Sequence, residues 1–128
     1  MQCFVKIDKP VYGALMVMRN YVAETGKFAG SGHITFVYGQ TANGHIAGLG
    51  GNQGDSVKLS PYAKSGVSAS FKLNKTKMEQ KFHAFYIPAT YEEYAKKQGD
   101  LAVVDIIDVN KNLFKIEGAK PVANEGTR

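Results

Sequence analysis

Apolar and polar residues alternate along much of this chain with the period of a strand, and only one stretch carries convincing helix signals. Residues 12–18 form a continuous apolar run, which is typical of a buried strand. Residues 33–38 alternate, so that His33, Thr35 and Val37 share one face of a strand while the residues between them share the other. The same reasoning predicts further strands over residues 45–49, 56–59, 67–73 and 81–88.

Turn residues separate these predicted strands. Asn43-Gly44 is a hairpin signal between the strands at 33–38 and 45–49. Residues 50–55, GGNQGD, are rich in residues that adopt turns for steric reasons. Residues 20–32 mix glycine with polar side chains, and we predict that they form a loop.

The helix signals lie near the end of the chain. Thr90 and Glu93 have the spacing of a capping box, which predicts a helix that starts at Thr90 and ends at Gly99. Its acids come first and its lysines last, as the helix dipole favours. Residues 101–109 and 113–116 are predicted to form a C-terminal hairpin.

These elements predict an α+β chain that is mostly β. We expect an antiparallel half-barrel sheet of about six strands with one short helix. Residues 1–117 are expected to form a single globular domain, followed by a mobile tail over residues 118–128.

The composition narrows the choice of partner. The formal net charge is +5, which favours anionic surfaces, and residues 72–81, KLNKTKMEQK, are dense in lysine. Arginine, the preferred residue for base readout, occurs only at Arg19 and Arg128, so no specific nucleic acid is expected. No apolar run approaches the roughly 18 residues of a membrane span. No cofactor is implied.

One set of residues is typical of a thiol hydrolase, which needs a thiolate, a histidine that takes its proton and a polar group that orients the histidine. His33 begins a strand after Gly-Ser-Gly, and Asn52 follows one hairpin later. If the two segments are adjacent antiparallel strands, the Asn52 carboxamide can lie beside the His33 ring. A purely structural interpretation stays open: His33 bound to backbone, and GGNQGD acting only as a turn.

The single cysteine, Cys3, is open to two interpretations. It lies in the strand-like segment MQCFVKI, without the helix N-terminus that lowers a thiol pKa, and is most simply an incidental thiol. The alternative is a nucleophile in a rearranged site. One cysteine excludes an internal disulfide and a thiolate zinc cluster.

The remaining candidates for site chemistry carry weaker signals. His45 is expected on a hairpin face and His83 in an alternating strand, and no spacing supports a metal site built from these two with His33. Asp105 and Asp108 are expected on opposite faces of a strand, where they do not form an acid pair.

Several motifs in order resemble the C-terminal, β-sheet half of CHAP/NlpC-type peptidoglycan hydrolases, and most closely a phage- and secretion-associated subgroup. The likeness covers about residues 5–70, and residues 71–117 hold variable strands and the helix. The matching residues are Lys9-Pro10 with Gly13, Gly32-His33, Leu49 to Gln53 with Val57, and Tyr62-Ala63-Lys64-Ser65.

The resemblance implies a papain-like cysteine peptidase or amidase that cleaves cell-wall peptidoglycan. The resemblance assigns His33 the role of the base and Asn52 that of the orienting residue. It makes Gly32 and Gln53 oxyanion or substrate-cleft residues. The family's nucleophilic cysteine starts a helix before the Lys9-Pro10 strand, and no helix fits the residues before it here. That helix is then missing from this chain, encoded separately or lost.

Three functional hypotheses follow. The chain is the sheet half of a lytic hydrolase, a non-catalytic binding or inhibitor protein on the same scaffold, or an enzyme that uses Cys3. Without the nucleophile helix, a face carrying Ala14, Met16, Phe36 and Val37 would lose its cover, which predicts a second protein chain or self-association. No signal peptide is recognised, so we expect synthesis in the cytoplasm and delivery by phage lysis or a secretion apparatus.

Overall fold

The computed structural model describes residues 3–51 and 57–113. Strands make up 53% of the described residues and helices 14%, in an open antiparallel sheet of seven strands with two short α-helices. This confirms the predicted mostly-β fold. The strands are β1 (Phe4–Ile7), β2 (Leu15–Val22), β3 (Phe28–Gln40), β4 (Ile46–Gly50), β5 (Lys58–Tyr62), β6 (Val67–Leu73) and β7 (Thr76–Pro88). A 3-10 helix, Ala89–Tyr91, leads into α1 (Glu92–Lys96), and α2 is Ile106–Leu113.

The long strand β7 organises the sheet. The strand order is β1-β7-β2-β3-β4-β5, with β6 also paired to β7. Along one edge, β7 pairs with β2 from Met78 to Tyr86. Its other edge is shared, because β6 pairs with its beginning and β1 with its end. β6 and the start of β7 therefore project as a hairpin, which we call the β6–β7 arm.

Register shifts at several places account for the curl of the sheet. One extra residue interrupts the pairing at Tyr38 in β3, at Ser68 in β6 and at His83 in β7. In β3 a larger irregularity includes Gly30, whose φ is +81°. Bulges of this kind bend a strand and increase its twist, which is how a single sheet forms a concave face.

The concave face holds the core. Its largest fully buried side chains include Met16, Met18, Ile46 and Ile87. The 3-10 helix and α1 close one side of it, where Tyr91 and Ala95 pack against the buried cluster. Burial of this apolar surface is the main stabilising term for a domain of this size.

The prediction that Ala14, Met16, Phe36 and Val37 share one uncovered face is wrong. Ala14, Met16 and Val37 are almost completely buried on the concave face, whereas Phe36 is 53% exposed on the opposite face. Phe36 and Val37 are consecutive in a strand, so their side chains point to opposite sides. The same alternation confirms the prediction that Thr35 and Val37 share one face.

Three predicted elements are corrected. Residues 20–32 are not a loop, because β2 continues to Val22 and β3 already begins at Phe28. The Thr90–Glu93 capping box is absent: neither the 3-10 helix nor α1 has a side-chain cap, and the 3-10 helix starts at Ala89. Residues 106–113 form α2 rather than part of a hairpin.

Asp105 and Asp108 also differ from their prediction. The Asp108 backbone N–H donates to Asp105 Oδ1 at 3.2 Å, which is the N-cap arrangement at the start of α2. Asp105 therefore caps α2 and Asp108 lies in its first turn, so neither is a residue of a strand.

The exposed edge of β5 is covered by a side chain of α2. Asn110 Oδ1 accepts from the Leu59 N–H at 2.7 Å, and its Nδ2 donates to the Leu59 carbonyl at 2.9 Å. The amide thus takes the place of a neighbouring strand, which protects an edge from pairing with other chains. Pro61 is tolerated in β5 because this is an edge strand.

Among the residues described, none of the helices has the length and apolar character needed to cross a membrane.

Candidate active site around His33

His33 lies in β3 directly opposite the buried Met18 of β2, so its side chain points to the concave face. The side chain is half-buried. Its Nε2 is 3.1 Å from the Tyr62 hydroxyl, and the two rings stack with centroids 5.7 Å apart and planes inclined by 27°. The histidine therefore has a fixed ring orientation.

Tyr62 is the residue of the candidate site to which the sequence analysis assigned no role. It ends β5, two strands away from β3, and is only 8% exposed. Burial raises the pKa of Tyr62 from 10.0 to about 12, although a hydrogen bond with Ser60 opposes the shift. The hydroxyl thus keeps its proton at neutral pH. Its oxygen can accept from the Nε2–H of His33, which orients the ring in the tautomer whose basic nitrogen is Nδ1. The motif that contains this tyrosine, Tyr62-Ala63-Lys64-Ser65, was noted in the sequence. No sequence pattern indicated that its tyrosine contacts His33, which is 29 residues away.

Gly48 makes the approach of β3 and β5 possible. A Cβ at this position would lie 2.5 Å from Thr35 Cγ2 and 3.0 Å from the Tyr62 ring. Real Cβ atoms do not come so close to a buried neighbour. The glycine in β4 therefore allows Tyr62 to reach across to His33.

The predicted orienting residue, Asn52, and the predicted cleft residue Gln53 lie outside the described residues. β4 runs antiparallel to β3 and its residue Leu49 is opposite Phe36. The pairing of Asn52 with His33 stays a prediction.

Gly32 has a structural reason to be glycine. A Cβ there would lie 2.1 Å from the Met18 carbonyl oxygen, so any side chain would displace the backbone of β2. Its predicted part in an oxyanion hole or substrate cleft stays untested.

Cys3 does not lie near His33. It is exposed, and its carbonyl accepts from the Ala89 N–H at 2.9 Å, beyond the end of β7. His33 is aligned, through Met18, with Phe82 of β7. The offset from Phe82 to Ala89 is roughly 20 Å along a strand. A proton cannot pass directly between the Cys3 thiol and the His33 ring at that separation.

The other two histidines lie elsewhere. His45 belongs to the β3–β4 turn, where its Nδ1 is 3.2 Å from Asn43 Oδ1 and Gly44 adopts a φ of +85°. His83 is the bulged residue of β7. Within residues 3–51 and 57–113, no three histidine, cysteine or acidic side chains are grouped as a metal site requires.

A pocket of about 470 Å³ lies beside α2, near His45. Its lining is largely apolar and includes Pro61, Val67 and Ile106. We place the candidate site at His33 instead, because there, alone among the described residues, a second polar side chain that is itself buried holds the ring of a potential base.

Comparison with known proteins finds no family model, no curated protein and no solved structure that matches this chain.

Proposed function

We propose that this chain supplies the base, His33, of a papain-like cysteine peptidase or amidase site that acts on cell-wall peptidoglycan. The supporting observation is the His33–Tyr62 pair. A catalytic base must be held in one orientation, and a hydrogen bond of 3.1 Å together with ring stacking does this on the concave face. Half-burial lowers the competition from water while leaving the ring accessible.

In this proposal Cys3 is not the nucleophile. The thiol comes from outside these 128 residues, either from another part of a longer protein or from a second chain, since Cys3 is the chain's one cysteine. The thiol would transfer its proton to the imidazole, and the thiolate would attack the peptide or amide carbonyl. The net charge of +5 favours an anionic wall polymer as substrate.

The test is turnover of purified peptidoglycan by the protein translated from the complete reading frame that contains this chain. His33→Gln should lower kcat by about 10²- to 10⁴-fold, the usual contribution of a general base. Cys3→Ser is the matched control and should leave turnover unchanged. Loss of turnover in Cys3→Ser, or full turnover in His33→Gln, would refute the assignment.

A second candidate is a non-catalytic binding or inhibitor protein on the same scaffold. The observation that favours it is the remoteness of the chain's only thiol from His33. NMR titration with soluble muropeptides separates the two candidates. Shifts at His33 and Tyr62 without turnover by any form of the protein would establish binding as the function.

A further inference from the structure

The outer side of the sheet, opposite the concave face, carries a concentration of positive charge that the proposed catalytic site does not use. We call it the basic face. It consists of four cations, two aromatic rings and one acid: Arg19, Lys72, Lys77, Lys81, Tyr21, Phe28 and Glu79.

Strand register places these residues together. Lys77, Glu79 and Lys81 alternate along β7 and point away from the core, because the residue between the first two, Met78, is only 3% exposed on the opposite side. Lys72 is directly opposite Lys77, and Arg19 is directly opposite Lys81. Residues paired across antiparallel strands share a face.

The two aromatic rings orient the cations of one pair. Tyr21 is opposite both Glu79 and Phe28 in the register. The Arg19 guanidinium carbon lies 4.7 Å from the centroid of the Phe28 ring, and Lys81 Nζ lies 5.6 Å from that of Tyr21. Cation–π contacts of this length hold a long side chain in a limited set of rotamers.

Among the described residues, none of these cations forms an ion pair. Within residues 3–51 and 57–113, the ion pairs join Lys9 to Asp100 and Lys96 to Glu93, both away from the basic face. The charge is therefore available to an anionic partner.

The like-charged pair Lys72–Lys77 is unfavourable for folding, because equal charges directly opposite each other on two strands repel. The turn at the tip of the arm is also unfavourable, since Lys75 adopts a φ of 68°, where glycine is preferred. The placement of Lys72 opposite Lys77, where it destabilises the arm, favours a use for their charge.

We propose that the basic face binds peptidoglycan, a polysaccharide whose stem peptides carry separated carboxylates. The two cation pairs are four residues apart along β7, or roughly 13 Å, which a small anion cannot bridge but a polymer can. Between the pairs, Glu79 and the Tyr21 hydroxyl are positioned to bind neutral hydroxyl groups. The polysaccharide is of the same class as the substrate proposed for His33, but the binding face is on the other side of the sheet.

A nucleic acid fits this charge pattern less well. Each strand of a duplex carries one phosphate per about 3.4 Å of helix axis, so a phosphate between the cation pairs would meet the Glu79 carboxylate. A polymer with widely separated anions and neutral sugars between them avoids this repulsion.

His83 provides a spectroscopic reporter of binding. Its pKa is lowered by burial first, and then by the positive charges of Arg19 and Lys6. An anion that binds beside Arg19 would offset those charges and favour the protonated imidazole. Binding is therefore expected to raise the pKa of His83.

The experiment is co-sedimentation of this chain with purified peptidoglycan sacculi over a range of salt concentrations. The double variant Lys72→Gln, Lys77→Gln should bind roughly five- to tenfold more weakly and with a smaller salt dependence. The matched control, Lys97→Gln with Lys111→Gln, removes two exposed charges elsewhere and should stay within about twofold. Sacculi whose carboxylates have been amidated should lose most of the binding.

Turnover of soluble muropeptides by the protein of the complete reading frame separates this inference from the proposed catalytic site. Lys72→Gln with Lys77→Gln should weaken binding to sacculi and leave that turnover unchanged, because the basic face is on the other side of the sheet. Equal weakening in both double variants would reduce the effect to net charge and overturn the proposal. Tighter binding to oligothymidylate than to sacculi, abolished by Lys72→Gln with Lys77→Gln, would overturn it in favour of nucleic acid.

Discussion

The two faces of β7 differ in how their chemistry arises. On the concave side, Met78 and Phe82 contribute to a surface completed by residues from β2, β3 and β5. On the outer side, Lys77 is paired with Lys72 inside the β6–β7 arm, and Lys81 is paired with Arg19 of β2. The concave site therefore depends on tertiary packing throughout, whereas one of the two cation pairs of the basic face lies within a single hairpin.

This difference has a mechanical consequence. Tyr62 reaches His33 only because β3, β4 and β5 approach closely, so small additions of volume there are expected to be costly. Side chains of the basic face end in solvent, where substitutions change charge while leaving the packing intact. The faces should thus respond to mutation in opposite ways: one through stability and the other through binding.

The largest expected effect is a loss of stability from a substitution on the concave side of the sheet. Gly48→Ala places a methyl group 2.5 Å from Thr35 Cγ2 and 2.6 Å from its Oγ1, and should lower the free energy of unfolding by about 3 kcal/mol. Chemical denaturation measures this loss. The matched control is Gly51→Ala, whose Cβ would have nothing within 4 Å. An equal loss in both variants would contradict the packing argument.

The second effect tests the buried Tyr62 through pH. Its pKa is raised from 10.0 to about 12, so the folded state holds a proton that the unfolded state releases above pH 10. The corresponding stability is complete below pH 10 and is lost as the pH rises through 12, which amounts to about 2–3 kcal/mol.

Tyr62→Phe should remove this part of the alkaline stability loss. Denaturation curves measured between pH 9 and 12 are expected to be flatter for the variant than for the unaltered chain. The variant also loses the hydrogen bond to His33, which lowers its stability by about 1 kcal/mol below pH 10. Parallel pH profiles above pH 10 would show that the hydroxyl is not held as the buried geometry requires.

The sequence predicted the fold class because strand alternation is a local signal. Consecutive residues of a strand point to opposite faces, so Phe36 and Val37 lie on different sides of the sheet. The prediction that both belong to one uncovered face did not apply this alternation. The strand ends of β2 and β3 were missed, since glycine and polar residues in 20–32 are compatible with an irregular hairpin as well as a loop. The helix at Ile106–Leu113 was missed because the Asp105 cap was interpreted within a strand pattern.

The candidate site was predictable only in part. His33 stood out by its place at the beginning of an alternating segment after Gly-Ser-Gly. Its partner Tyr62 is 29 residues away, and their contact depends on a glycine in the strand between them, which no local pattern indicates. The basic face was visible as the lysine-dense segment 72–81, but its alignment with Arg19 required the β2–β7 register.

The smallest expected effect is on the basic face, where one substitution should raise the free energy of unfolding and weaken binding to sacculi. Lys72→Glu replaces a repulsive cross-strand pair with an attractive one opposite Lys77. The free energy of unfolding should rise by about 0.5 kcal/mol, while binding to sacculi weakens. A double-mutant cycle supplies the control: Lys77→Glu alone should act in the same way, and the two changes together restore like charges and remove the gain. High salt should abolish the stabilisation, since the pair is exposed. If the single variants instead lost stability, Lys72 and Lys77 would be structural residues of the arm, and the positive charge of the outer face would no longer require a ligand to explain it.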